Sequence, residues 1–326
     1  MPDFDPYRND PDGWGVSLAQ VAEIMLPVLD AVGARSVAEV GAYAGDLTRV
    51  LAAWGAQAGA RVLAIDPAPQ PGLVALAQDR AELELISETS LAALPRIPLP
   101  DAIVIDGDHN YYTVSEELRL IGERAPGAEL PLLLFHDVGW PHGRRDDYFD
   151  AEQIPAAARH PVADGAGGLF PGEAGVRPGG LPYPRSACRE GGPGNGVLTA
   201  VEDFVAGRGG LRLAVVPAFF GFGVVWHTGA PWSDAVASIL DPLDRHPTLE
   251  RLESNRVTQL ARAYARQTEI WELQSRLARR RAVLERLLDS SAFAVAEQLS
   301  RMRVRAGVAT DQSVVSKDEI RAALRD

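Results

Sequence analysis

The chain has 326 residues, 46% of them hydrophobic and 23% charged, with 32 basic against 44 acidic side chains and a net charge of −12. This is enough chain for one large or two modest domains whose core needs no staple, and it excludes disorder throughout and a broadly basic nucleic-acid binder. The lone cysteine, Cys188, excludes an intrachain disulfide and any thiolate zinc or iron–sulfur site made by one chain, and fits a reducing cytoplasm.

The opening stretch, MPDFDPYRND, is acidic where a signal peptide would be basic, so no export is expected. Short apolar runs of β type then alternate with helical stretches: Ser36 to Val40, Arg61 to Ile65, Leu83 to Ile86, Ala102 to Ile105 and Leu132 to Phe135. Repeated βα units with near-continuous apolar strands predict a parallel sheet covered by helices on both faces. Residues 139–195 follow, dense in Gly and Pro with little helical periodicity. A loop of that length after the carboxyl end of a strand is expected to be a lid over substrate. Leu211 to Val216 and Phe222 to Trp226 are separated by too few residues for a crossover, so they predict an antiparallel hairpin. The second of these runs belongs to the most apolar segment of the chain, yet that segment is too short and glycine-broken to span a bilayer.

A proline-bearing border at 241–247 divides the charge. Residues 1–247 carry 17 basic and 33 acidic groups, and 248–326 carry 15 and 11. The expectation is an α/β domain over 1–247, a helical arm or helix pair over 248–305, and a tail over 306–326 with a short helix beginning near Ser316. Ala263, Ile270, Leu277 and Leu284 recur every seven residues, but positions 260, 267, 274, 281 and 288 read Leu, Gln, Gln, Arg, Leu. Half a seam is apolar, which fits a polar-interrupted dimer coiled coil or an arm packed on the domain. Lys317 is the sole lysine beside abundant Arg, Ala, Gly and Pro, a composition expected of a GC-rich bacterial genome.

The first βα turn reads Val37-Ala-Glu-Val-Gly-Ala-Tyr-Ala-Gly-Asp46. Gly41 lets backbone approach a ligand, and Gly45 with Asp46 opens a helix whose amides face it. The dinucleotide pattern fails, because Tyr43 and Asp46 stand where it needs glycine, and no Gly-Lys-Ser/Thr completes a P-loop. What remains is an acid, Glu39, two residues before the turn. It would repel a pyrophosphate and suits a cationic amine. Asp66, ending the second strand, is placed to accept from ribose hydroxyls.

Glu39-x-Gly41-x-x-x-Gly45, Asp66 and the terminal hairpin resemble class I S-adenosylmethionine-dependent methyltransferases over roughly residues 30–228. The resemblance implies a Rossmann-like, doubly wound, mostly parallel seven-stranded sheet ending in an antiparallel hairpin. It implies that Glu39 and the turn with Gly41, Ala42, Tyr43 and Gly45 face the methionine part of the cofactor and Asp66 its ribose. Thr89 and Ser90 would lie near the adenine.

Two further strand ends carry chemistry. Ile105-Asp-Gly-Asp-His109 and Phe135-His-Asp137 place Asp106, His109, His136 and Asp137 on adjacent parallel strands about 4.8 Å apart. Asp106, His136 and Asp137 are oxygen and imidazole ligands suited to Mg²⁺ or a similar cation, which would hold a substrate hydroxyl while neutral His109 takes its proton. The pattern resembles metal-assisted O-methyltransferases of sugar hydroxyls in natural products, of the macrocin O-methyltransferase kind, and the related cephalosporin-hydroxylase-like proteins, whose second pair is usually Glu-Asp where this chain has His136-Asp137. Arg144, Arg145, Asp146, Asp147, Tyr148, Tyr111 and Tyr112 are further candidates for contact with a polyhydroxylated substrate. His142 is close in sequence but fits no expected role. The expected activity is methylation of a hydroxyl on a sugar-containing small molecule, with a homo-oligomer formed through the C-terminal helix. Two alternatives stand beside it: another reaction on the same fold, as in the hydroxylase-like relatives, and a non-catalytic adaptor in glycan processing.

Overall fold

A computed structural model describes residues 17–162, 167–308 and 315–324. The chain divides into two compact units, one ending at Ala263 and the other beginning at Tyr264.

The first unit is built on β1 (Ser36–Val40), β2 (Arg61–Ile65), β3 (Leu83–Ile86), β4 (Ala102–Ile105) and β5 (Leu132–Phe135). These are followed by a small ribbon of β6 (Gly167–Gly168) with β7 (Arg177–Pro178), and then by β8 (Leu211–Val216) and β9 (Phe222–His227). Seven of them form one sheet in the order β3-β2-β1-β4-β5-β9-β8. The first five are parallel, whereas β9 runs antiparallel to both β5 and β8. This is the Rossmann-like, doubly wound sheet with a closing hairpin expected from the sequence.

The helices in order are α1 (Ala22–Val32), α2 (Asp46–Ala58), α3 (Pro71–Asp79), α4 (Ser90–Ala93), α5 (Tyr111–Arg124), α6 (Val197–Ala206) and α7 (Ser233–Leu240). They cover both faces, which is why β4 and β5 are apolar at every position. In β4, Ala102 and Val104 enter one core layer with Met25, Leu51, Leu73 and Leu240; Ile103 and Ile105 enter the other with Val114, Leu118 and Val201. Strand alternation thus feeds two cores from one run. The order of strands reverses between β1 and β4, so their carboxyl ends splay apart and open a crevice.

Helix α8 (Pro247–Asp289) starts where the proline border predicts. The compact unit nevertheless continues to Ala263, sixteen residues past the border placed at 247. Val257 and Ala261 are buried, Glu253 Oε1 accepts from Phe220 N at 2.8 Å, and the Arg256 guanidinium lies 4.5 Å from the Phe220 ring. These contacts bind the first turns of α8 to the domain that precedes it.

The second unit holds the rest of α8, α9 (Ser291–Arg305) and α10 (Lys317–Ala323). Ser290 breaks the run and caps α9 by accepting from Phe293 N, so the proline-free stretch is a helix pair. Glu297, largely buried, accepts from Lys317 N at 3.1 Å, and Ser316 with Glu319 forms a capping box at the start of α10. On α8, Ile270, Trp271, Leu273, Leu277 and Leu287 are exposed. Among the described residues no helix is long and apolar enough to cross a membrane.

Candidate functional site

At the end of β1 the chain turns back on itself and touches both neighbours. Gly41 N donates to Ile65 O at 2.8 Å, and Asp106 N donates to Val40 O at 2.9 Å. Gly41 has φ +86°, and a Cβ there would lie 2.1 Å from Asp106 O, so only glycine lets the β1 and β4 turns close together. Tyr43, itself in the left-handed region at φ 39°, donates its amide to Asp66 Oδ2 at 2.7 Å, and Ala68 N donates to Asp66 Oδ1 at 2.7 Å. Asp66 therefore organises the turn as well as facing the crevice.

A cavity of about 500 Å³ opens over these turns. Glu39, Gly41, Ala42, Tyr43, Asp66, Thr89 and Ser90 line it, together with Asp106, Asp108, His109 and Phe149. Of the residues expected around a cofactor, Gly45 is the exception. It sits at φ +84° ahead of α2, against Leu73, and shapes the turn from behind. Glu39 is 2% exposed, and among the described residues its Oε2 has no hydrogen-bond partner. Burial pushes its carboxyl up to about 8, against the neighbouring Thr48 hydroxyl, which pulls it down, while Asp106, Asp66 and Asp46 push it further up. A buried acid among three other acids, facing a cavity, has the chemistry to pair with a cation, which would offset the cost of ionising it there.

The carboxyl ends of β4 and β5 meet beside that cavity. The ligand atoms of Asp106, His136 and Asp137 all lie within 4.8 Å of one another. His136 Nδ1 is 3.1 Å from Asp106 Oδ1 and 3.3 Å from Asp137 Oδ2, and its Nε2 is 2.9 Å from Phe219 O. A carbonyl only accepts, so Nε2 carries the proton and Nδ1 is the nitrogen turned to the two carboxylates. It must then share a proton with them or ligate a cation together with them, so the donor set fits a divalent ion. The outer hydrogen bond that orients a ligating imidazole is also in place.

His109 Nε2 lies 3.1 Å from Asp137 Oδ2 and 3.5 Å from Asp106 Oδ1. Burial pulls both His109 and His136 down, but the facing carboxylates of Asp137 and Asp106 outweigh it and raise both imidazoles well above their ordinary value. Burial pushes Asp106 up, and the two histidines more than reverse it, to about 2. With the cluster as it stands His109 is protonated, so the neutral base expected from the sequence requires a competing positive charge on the carboxylates.

Backbone strain gathers here. Asp137 has φ 55°, and Phe219 and Phe220, in the β8–β9 turn, have φ 50° and 67°. Such residues persist where the surroundings over-determine them. The turn is pinned by Gly139 N donating to Phe220 O at 2.6 Å, which aims Phe219 O at His136.

Residues 139–195 make several short 3₁₀ turns and the β6–β7 ribbon, and they bring residues to both halves of the site. Phe149 lines the cavity, and His142 is 2% exposed. The His142 ring stacks on His109 at 5.1 Å and meets Tyr183 edge-on at 4.7 Å. Burial pulls His142 down to about 4, leaving it neutral. Its side chain, with those of His109 and Asp147, forms a second group of candidate ligands. His142 and Asp108 carried no role in the sequence reading. The run Asp106-Gly-Asp-His109 was the available signal for Asp108, whose carboxylate accepts from Phe149 N at 2.9 Å and Thr113 Oγ1 at 3.1 Å.

Three residues expected to face substrate do not. Arg145, Asp146 and Tyr148 have no exposed surface. Asp146 Oδ1 accepts from Tyr111 N at 2.8 Å and Gly196 N at 2.7 Å, and its Oδ2 accepts from Tyr148 OH at 2.9 Å. Arg145 donates to Ala187 O at 2.6 Å and Ala174 O at 2.9 Å. These polar groups satisfy the backbone of a segment too poor in apolar side chains to make a core of its own. Arg144 pairs with Glu202 at 2.7 Å, and Tyr111 OH donates to Asp203 at 2.9 Å, both toward α6.

Residues 38–138 match a family profile described as a methyltransferase domain. No curated protein matches the sequence. Among solved structures, the chain is similar to the SAH-bound methyltransferase PaMTH1 of Podospora anserina, at 14% identity and TM-score 0.42, over 68% of this chain and 84% of that one. It is also similar to the SAM-bound O-methyltransferase TomG of Streptomyces achromogenes, involved in tomaymycin synthesis, at 17% identity and TM-score 0.40, over 69% and 86% of the two chains.

Proposed function

We propose that this chain, a class I methyltransferase by its domain and its sheet order, moves a methyl group from S-adenosylmethionine to a hydroxyl oxygen of a sugar or glycosylated natural product. The observation that carries the reading is Glu39, a buried acid with an unpartnered oxygen, facing a cavity whose other end is the Asp106–His109 pair. The ammonium of a methionine moiety would give Glu39 the countercharge and donor that its Oε2 lacks among the described residues. Asp66 offers its carboxylate to ribose hydroxyls, and Thr89 and Ser90 border the adenine.

Asp106, His136 and Asp137 would hold a divalent cation, Mg²⁺ by the oxygen-rich part of the set. When bound, such a cation neutralises the two carboxylates, lowers the pKa of a hydroxyl it holds and returns His109 toward its ordinary range. His109 would then accept the hydroxyl proton at Nε2, and bound S-adenosylmethionine would supply the methyl group to that oxygen, its sulfur leaving as the thioether. Cavity walls that align oxygen, carbon and sulfur supply most of the acceleration.

Ile270, Leu273, Leu277, Leu284 and Leu287 fall on an a-and-d series of three- and four-residue steps that Arg280 interrupts, and all but Leu284 are exposed. The series shares Ile270, Leu277 and Leu284 with the half-apolar seam and takes its second set from positions 273, 280 and 287. It supports self-association of α8 with α8 of a second copy. The composition and single cysteine support a bacterial cytoplasmic setting.

The test is a thermal-shift series with S-adenosylhomocysteine, with and without Mg²⁺, followed by mass spectrometry of reactions with candidate glycosides. A ligand at a hundred times its Kd stabilises by about 2.7 kcal/mol. No shift at saturating ligand sinks the cofactor assignment, and methylation undiminished by a chelator removes the cation from the reaction.

A further inference from the structure

We propose a second cation site, made by His109, His142 and Asp147, that takes a first-row transition ion of the zinc and cobalt type next to the Asp106–His136–Asp137 set. The three side chains come from separate segments, namely the loop after β4, a 3₁₀ turn at His142–Arg144 and the strand-like bridge of Asp147 with Ser186. One ligand atom from each lies within 4.8 Å of the others. Nothing in local sequence requires this convergence.

His142 supplies an independent observation. It is 2% exposed and its Nδ1 has no hydrogen-bond partner among the described residues. Buried polar atoms are nearly always satisfied, so an orphaned imidazole nitrogen beside a second imidazole and a carboxylate calls for a ligand. A protonated lysine or arginine would serve a carboxylate cluster but has nothing to offer an imidazole lone pair, whereas a metal ion serves both.

The supports of a ligand set are present as well. Ser186 Oγ donates to Asp147 Oδ1 at 2.8 Å, and Asp147 N donates to His109 O at 2.9 Å, which ties the insertion to the β4 loop. Such outer contacts fix the aim of ligating groups. Two imidazoles with one carboxylate, leaving positions open, is the donor set of borderline transition ions, whereas Mg²⁺ prefers oxygen.

Asp137 links the two sets. Its Oδ2 is 3.1 Å from His109 Nε2 and 3.3 Å from His136 Nδ1. Ligand atoms each about 2.1 Å from one ion stand about 3 Å apart at right angles. One carboxylate oxygen is thus at ligand spacing from an imidazole of each set, as a bridging carboxylate requires. The proposal stands on these side chains alone and does not depend on methyl transfer; an ion held there occupies the His109 Nε2 lone pair, so His109 serves as the base of the proposed reaction only while this second site is empty.

The full chain, stripped with a chelator, is titrated with Co²⁺ and followed by equilibrium dialysis and visible absorption. Wild type is expected to hold two equivalents, one of which excess Mg²⁺ displaces. His142→Gln and Asp147→Asn each leave one, and it is the Mg²⁺-sensitive one. Asp106→Asn leaves the other. Ser186→Ala weakens the Mg²⁺-insensitive site about tenfold. A single equivalent in wild type, lost in Asp106→Asn and untouched in His142→Gln and Asp147→Asn, overturns the second site while leaving the first in place. Two equivalents retained by both of those variants also overturns it. Circular dichroism identifies any variant that fails to fold, and the wild-type stoichiometry decides without it.

Discussion

The two ends of the cavity are made in different ways. The end proposed for the cofactor comes from short contiguous turns at residues 39–47, 65–70 and 89–90, each following its own strand, with the first two tied by links such as Tyr43 N to Asp66 Oδ2 across only 23 positions. The acceptor end draws on the β4 and β5 ends, two points of the 139–195 insertion and the β8–β9 turn, joined by links such as His136 Nε2 to Phe219 O across 83 positions. A local device tolerates change elsewhere in the chain. A non-local one depends on every segment that reaches it.

The largest expected effect falls on the acceptor end. His109→Gln should lower the methylation rate about 10²- to 10⁴-fold with little change in S-adenosylhomocysteine affinity, read by steady-state kinetics beside calorimetry. Equal loss of both would mean that His109 serves binding rather than proton transfer.

Gly41→Ala probes the cofactor end at its tightest point, where the added Cβ would meet Asp106 O at 2.1 Å. It should destabilise by about 4 kcal/mol or more in denaturant unfolding. Gly33→Ala, at φ +70° with open space around it, should cost about 1–2 kcal/mol. Similar costs at the two positions would show that backbone conformation, not the β1–β4 contact, makes Gly41 necessary.

A pH dependence separates the ends more gently. Glu39 is raised from 4.5 to about 8, so its contribution to the stability of the ligand-free protein is complete below pH 4.5 and is lost as pH climbs through 8. A cationic ligand favours the ionised form. Affinity for S-adenosylhomocysteine should therefore rise with pH by up to about tenfold per unit until pH 8, with proton release measurable by calorimetry in buffers of different ionisation heat. Glu39→Gln should flatten that slope. A slope that survives the substitution assigns the proton to another group.

The smallest effect on chemistry is expected from the arm. Leu273→Glu with Leu277→Glu should convert a dimer to a monomer in light scattering while changing the turnover less than twofold. An unchanged mass in both proteins rejects the helix as the contact.

Much of the cofactor end was legible because glycine spacing and strand-end acids are read in one dimension: Glu39, Gly41 and Asp66 each stand a fixed distance from an apolar run. The trio of Asp106, His136 and Asp137 was legible for the same reason, since neighbouring parallel strands bring their ends together. Arg145, Asp146 and Tyr148 misled because a charged run in a Gly- and Pro-rich segment looks solvated, yet Asp146 is consumed by three donors, Tyr148 OH within that segment and Tyr111 N and Gly196 N on either side of it. His142 could not be assigned, because its partners His109 and Tyr183 lie 33 residues before it and 41 after.

The residues by themselves determined the order of strands and helices, the hairpin, the first turn and the pair of strand-end carboxylates, because periodicity and turn chemistry act over a few bonds. Tertiary structure decided the rest: which nitrogen of His136 faces the carboxylates, that Glu39 is buried with one oxygen unpartnered among the described residues, that the compact unit reaches Ala263, and that His142 and Asp147 join His109. Those outcomes depend on burial and on hydrogen bonds between distant segments, and both exist only after the chain has closed on itself.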